Sequence, residues 1–166
     1  MRADKIFLVG FMAAGKSTVA KALAHKLDWR VEDSDELIEK RERKTVADIF
    51  DRHGELYFRA SERAVIEELA PLQHVVIATG GGTFTIQENR TVINQNGVSV
   101  WLDVSFNTVL ERLPTDGRRP LAKNQTAMRS LYASRQAGYR YAHLRIDANE
   151  LTTEELVQQI MEWMAA

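Results

Sequence analysis

The 166-residue sequence predicts an α/β fold built on a parallel sheet, and three observations lead there. Five short apolar runs recur along the chain, helical patterns fall between them, and the first strand-to-helix junction carries a glycine-rich turn. Strands that alternate with helices build βαβ units, and a sheet covered on both faces has strands that read as near-continuous apolar runs.

The first strand is "KIFLVG" (5–10). The stretch "FLVGFMAAGKSTVAKAL" (7–23) leads from it through the turn into a helix, on which Val19, Leu23 and Leu27 recur every four residues. "WRVED" (29–33) is the second strand, and it runs into the acidic "EDSDEL". Thr45 with Asp48 reads as the cap of a short helix through Phe50, and "GELYFRASE" (54–62) is helical. "HVVIAT" (74–79) is the third strand, ending in three glycines, and "VSVWLDV" (98–104) is the fourth. "LPTDGRRPLAKNQ" (113–125) gathers glycine, prolines and charges, which makes it a loop and a candidate lid. "LRIDA" (144–148) is the fifth strand. The last helix carries Leu156, Ile160 and Met164 on one face; Thr152 and Glu155 form a capping box at its start, with Leu151 and Leu156 stapled across it. With no internal repeat or linker, residues 1–166 are expected to form a single domain.

Composition narrows the function. Twenty-two Lys and Arg against 23 Asp and Glu leave a formal net charge of −1, which argues against nucleic-acid or membrane-surface binding driven by bulk electrostatics. The absence of cysteine excludes disulfides, thiolate metal sites and cysteine nucleophiles. His25, His53, His74 and His143 show no close metal spacing. The apolar run in "MRADKIFLVG" is too short for a signal peptide or a membrane span, so a cytoplasmic protein is expected, and a monomer.

Gly10, Gly15, Lys16 and Ser17 satisfy G-x-x-x-x-G-K-[ST] between a predicted strand and a predicted helix, the context that this phosphate-binding motif needs. The turn offers backbone N–H groups and a helix N-terminus to an anion, Lys16 reaches the terminal phosphates, and Ser17 places its hydroxyl on Mg²⁺. Asp33 and Asp35 follow the second strand. Alternation along an extended strand would put them on one face, at the sheet edge where ligands collect, as metal partner and proton acceptor; helix capping is the other reading. Glu62 lies three residues beyond Arg59 on a helical segment and can hold its guanidinium while the fork grips a carboxylate. Gly80, Gly81 and Gly82 after a buried strand suggest a substrate floor offering N–H groups. Arg118, Arg119, Arg135 and Arg140 could supply cations to a transferring phosphoryl group. Asp103, at the end of the fourth strand, is the other acid that could serve a metal.

Taken in order, the D-x-D at 33–35, "GE" followed by "FR-x-x-E", "TGGG", "RRPL" and an Arg four residues before Tyr139 resemble the shikimate kinase family along nearly the whole chain. The resemblance implies a five-stranded parallel sheet in a three-layer α/β/α fold, a helical substrate-binding region near 33–62, and a mobile lid near 113–125. It implies ATP and shikimate as substrates and Mg²⁺ as cofactor. Lys16, Asp35 and Arg119 would be catalytic, with Asp35 as base and Arg119 swinging onto the phosphates. Gly10, Ala13, Ala14, Gly15, Lys16, Ser17, Thr18, Arg112 and Arg119 would bind ATP, Arg112 against adenine. Ser17 would bind Mg²⁺, with Asp33 holding it through water. Asp35, Arg59, Arg135 and Gly80 to Gly82 would bind shikimate, Glu62 would orient Arg59, and Phe50 and Phe58 would wall the ring. Where the family loop commonly reads G-x-x-G-x-G-K, Ala13 and Ala14 occupy the middle, and alanine tolerates positive φ poorly.

A gluconate kinase or another small-metabolite kinase of the same fold is the nearest alternative, since it would keep the phosphate loop but would not need "FR-x-x-E" with three glycines. A nucleotide-binding regulator without activity predicts loss of Lys16, Asp35 or the arginines, all of which are present, and a GTPase would need an N-K-x-D guanine signature, which is absent.

Overall fold

In the computed structural model, residues 1–113 and 122–166 are described. Five strands form one sheet in the order β2-β3-β1-β4-β5: β1 (Lys5–Val9), β2 (Arg30–Asp33), β3 (Val75–Ala78), β4 (Val98–Asp103) and β5 (Leu144–Asp147). Every pairing is parallel, and the five predicted strands are the five observed. Helices α1 (Lys16–Leu27), α2 (Ser34–Glu42), α3 (Val46–Leu69), α4 (Gln87–Asn96), α5 (Phe106–Arg112), α6 (Ala122–Tyr139) and α7 (Thr153–Ala165) cover the sheet in a three-layer α/β/α arrangement. The central strands β1 and β3 are buried along their whole length, whereas the edge strands β2 and β5 are partly exposed, so the purest apolar runs in the sequence mark the middle of the sheet.

The helical spacing and the N-caps act as read. Val19 and Leu23 are buried in the core and Leu27 packs against it; the Thr152 hydroxyl accepts from the Glu155 N–H at 3.1 Å. The Thr45 hydroxyl likewise accepts from the Asp48 N–H at 3.1 Å and caps a short helical segment that Gly54 interrupts. At Gly54 the backbone leaves helical geometry, with φ 83° and ψ 177°, and a second helical segment of α3 runs on to Leu69. A positive φ suits glycine, and the segment beyond it carries Phe58, Arg59 and Glu62.

Register decides where the site lies. Asp33 pairs with Ala78, and Ala78 pairs with Leu8, so the segments leaving β2, β3 and β1 emerge side by side. They are Ser34–Asp35, Thr79 with the three glycines, and the turn starting at Gly10.

Candidate active site

Residues 10–15 bridge β1 and α1. Gly15 caps α1 with φ 93°, no side chain caps the helix, and its first turn holds no acid, so the N–H groups and positive end of α1 are left to an anion. Met12 to Thr18, Asp33, Asp35, Thr79, Gly80 and Gly81 share one cleft of about 410 Å³. Thr18 is exposed in the first helical turn. The Ala14 N–H is engaged by the Phe11 carbonyl at 3.3 Å, which closes a tight turn. Lys16 lies back over the loop and donates from Nζ to the carbonyls of Gly10 and Phe11, the latter at 3.1 Å. Burial brings its pKa down to about 8; Arg135 pushes the same way, and Asp35 and Asp33 oppose.

Asp33 and Asp35 do not share an extended strand. Asp33 ends β2 and caps α2, its Oδ1 accepting from the N–H groups of Asp35 and Glu36 at 3.0 and 3.1 Å, while Asp35 sits in the first turn of the helix. Capping and function coexist, because the other oxygen of Asp33 accepts from the Ser17 hydroxyl at 3.0 Å. A hydroxyl and one carboxylate suit Mg²⁺ when phosphates and water supply its other ligands. Among the described residues no group of three or more His, Cys, Asp or Glu could hold a metal unaided. Asp103, the other acid considered, is taken by Arg145 at 2.7 Å. Among the described residues Asp35 has no such partner: its Oδ1 is buried without a hydrogen bond. Burial raises its pKa to about 6, with Asp33 and Glu62 adding to the rise and Lys16 opposing it.

The three glycines are shaped by their neighbours, one position at a time. A Cβ on Gly80 would stand 2.6 Å from Asp35 Oδ1; on Gly81, 2.9 Å from Arg135 Nη1; on Gly82, 2.7 Å from Arg59 Nη2 and 3.2 Å from Arg135 Nη2. Their common requirement is therefore space for three charged side chains. The expectation of a row of N–H donors fails at Gly80, whose N–H is used by the buried Ser34 hydroxyl at 3.2 Å.

Arg59 donates to Glu62 Oε1 at 2.9 Å, and the fully buried Glu62 accepts from the Thr83 hydroxyl at 2.7 Å on its other oxygen. Phe50 and Phe58 lie against each other with ring centroids 4.7 Å apart, beside Arg59. Arg135 comes from α6 and lies over the Phe11 ring at 5.6 Å. Arg59 and Arg135, 76 positions apart in the sequence, thus meet over Gly82. Arg112 stands apart from this group, donating to the Ala13 carbonyl and to carbonyls just after β5. Arg140 is exposed just after α6. Arg118, Arg119 and most of the expected lid lie outside the described residues, and the lid's expected last residues, 122–125, belong to α6.

Sequence reasoning passed over three supporting residues. Thr83 holds Glu62, Ser34 holds Gly80, and the buried Tyr139 donates to the Gly81 carbonyl, its own pKa pushed well up by burial. Thr83 directly follows the glycines, which is a local signal; the partners of Ser34 and Tyr139 are 46 and 58 positions away and leave none.

Comparison with known proteins identifies the family. The family model described as shikimate kinase matches residues 12–165. A shikimate kinase of Sulfurihydrogenibium sp. is 45% identical over 157 residues, covering 94% of this chain and 95% of that protein. The structure of an Acinetobacter baumannii shikimate kinase in complex with shikimate superposes with a TM-score of 0.90 at 35% identity, covering 98% of this chain and 93% of the other. The Aquifex aeolicus shikimate kinase structure gives 0.87 at 34% identity, covering 97% and 96%. A five-stranded parallel sheet, a phosphate loop at its centre and two arginines meeting over a glycine floor thus coincide with likeness over nearly the whole chain, which belongs to the shikimate kinase family.

Proposed function

We propose that this chain transfers the γ-phosphoryl group of ATP to the 3-hydroxyl of shikimate, forming shikimate 3-phosphate and ADP. The observation that carries the reading is the convergence of Asp35, Arg135 and Arg59 on Gly80, Gly81 and Gly82 beside the phosphate loop. A small hydroxylated carboxylic acid needs two cationic forks at one end and a carboxylate at the other, and this arrangement supplies both.

In this reading Arg59 and Arg135 clamp the carboxylate, Glu62 holds Arg59 in place, and Phe50 and Phe58 wall the ring. The free buried oxygen of Asp35 accepts the hydroxyl proton while the hydroxyl oxygen bonds to the γ-phosphorus and the bond from that phosphorus to the leaving ADP oxygen breaks. A base with a pKa of about 6 is ionised at neutral pH, yet basic enough to share the proton as the bond forms. Lys16, the loop N–H groups that the turn leaves open and the N-terminus of α1 hold the phosphates, and Arg119 would add a further cation to them. Mg²⁺ bound near Ser17 and Asp33 would neutralise charge on the β- and γ-phosphates. A single domain acting as a cytoplasmic monomer completes the proposal; no helix among the described residues is long and apolar enough to cross a membrane.

The test is ADP release from MgATP with shikimate, with gluconate and with no acceptor. Turnover with shikimate alone is expected. Turnover with gluconate alone, or with neither acid, refutes the assignment.

A further inference from the structure

We propose that Arg112 is a positioning residue for the phosphate loop, holding Ala13 in a left-handed conformation that the loop requires and that alanine disfavours. The inference deepens the ATP-binding reading above and rests on it. Three residues in the six from Gly10 to Gly15 have positive φ: Gly10 at 144°, Ala13 at 62° and Gly15 at 93°. Two are glycines; the third carries a Cβ that crowds the backbone in this region. Ala13 is also the third residue of the turn closed from the Ala14 N–H to the Phe11 carbonyl, a position where positive φ calls for glycine.

What opposes that preference is a contact from the end of α5. Arg112, the last residue of α5, donates from Nη1 to the Ala13 carbonyl at 2.9 Å and from Nη2 to the carbonyls of Ala148 and Asn149 at 3.2 and 3.4 Å. The anchor is rigid. Ala148 is buried, with its N–H on the Asp103 carbonyl at 2.8 Å, and the Asn149 side-chain oxygen accepts from the Ser105 N–H at 2.7 Å and the Thr108 hydroxyl at 2.8 Å. A planar fork can bridge the loop and this anchor at once, whereas a lysine offers one point of attachment. Arg112 thereby selects the conformation of the triphosphate cradle itself, a task separate from the adenine contact that the family resemblance implies.

Tripolyphosphate, which has the phosphates but no adenine, separates the two tasks. Its affinity and that of ATP are measured by calorimetry for the wild type, Arg112→Ala, Arg112→Lys, Ala13→Gly and the Ala13→Gly/Arg112→Ala double variant, with shikimate affinity as a check that the rest of the site is intact. Both single Arg112 variants are expected to bind tripolyphosphate about tenfold more weakly, Ala13→Gly at least as tightly as wild type, and Arg112→Ala to cost no more than about twofold once residue 13 is glycine. Arg112→Lys keeps the charge and most of the stem, so it remains informative if Arg112→Ala folds poorly. Unchanged tripolyphosphate affinity with weakened ATP affinity would leave Arg112 only an adenine contact. An equal loss in both backgrounds would reduce it to a charge near the phosphates. Wild-type protein that binds neither ligand would instead overturn the ATP-binding reading, and the two failures are told apart by the wild type alone.

Discussion

Replacing Asp35 with Asn is expected to stop catalysis and to stabilise the fold, and the second effect is the more searching. The Asp35 carboxyl rises from its ordinary 3.8 to about 6, chiefly because burial disfavours the charge. Below pH 3.8 the group is protonated in folded and unfolded chains alike and costs nothing. Between 3.8 and about 6 the unfolded chain gives up its proton while the folded one keeps it, so this contribution falls as pH rises and stays lost above 6. The difference is worth about 3 kcal/mol at 1.36 kcal/mol per pH unit, and partial solvent access trims it to about 1–2 kcal/mol. Asn carries no charge and keeps the shape. Asp35→Asn should therefore raise Tm by roughly 2–6 °C at pH 8, with the gain shrinking below pH 6 and gone near pH 4. Turnover should drop by about 10²–10⁴-fold, as for loss of a general base, with ATP affinity largely intact. Thermal melts from pH 4 to 8 beside steady-state kinetics make the test. A variant no more stable than wild type at pH 8 would refute the argument that Asp35 is held as a costly buried anion, and an equal loss of ATP binding would move it from base to nucleotide site.

The other predictions concern the clamp, the floor and the loop. Arg59→Ala should weaken shikimate binding by about 2–5 kcal/mol, because the ligand carboxylate loses one of its two cationic partners; unchanged shikimate affinity would remove Arg59 from the clamp. Thr83→Val should raise KM for shikimate with little effect on KM for ATP, and Thr83→Ser should restore it, since only the hydroxyl held by Glu62 matters. Gly82→Ala puts a methyl 2.7 Å from the Arg59 guanidinium, which can swing away, so shikimate KM should rise about tenfold or more with Tm nearly unchanged. Lys16 loses its proton as pH rises through about 8, so ATP affinity should fall above that pH; binding at pH 8 should take up protons, visible as a dependence of calorimetric heat on the buffer's ionisation enthalpy.

Local pattern made most of the fold and part of the site legible in the sequence. Apolar runs marked the five strands because a buried parallel strand tolerates little else, and the phosphate loop was readable because glycines, lysine and serine must be adjacent to wrap one anion. Arg59 and Glu62 were paired correctly because helical spacing brings positions i and i+3 together. Geometry that passes through a helix start was not readable by the same rules: strand alternation misplaced Asp35, which lies in a helical turn.

The sequence by itself determined the fold class, the phosphate loop and the residue types of an acid-binding site, since each depends on contacts within a few positions. Only the tertiary structure decided that Asp35, Arg135 and Arg59 each sit against one glycine of the floor, that Asp33 both caps α2 and faces Ser17, and that Arg112 reaches the carbonyl of Ala13. Those contacts join residues up to 99 positions apart. They follow from the strand order and register of the sheet, which align the ends of β1, β2 and β3 and which no local pattern encodes.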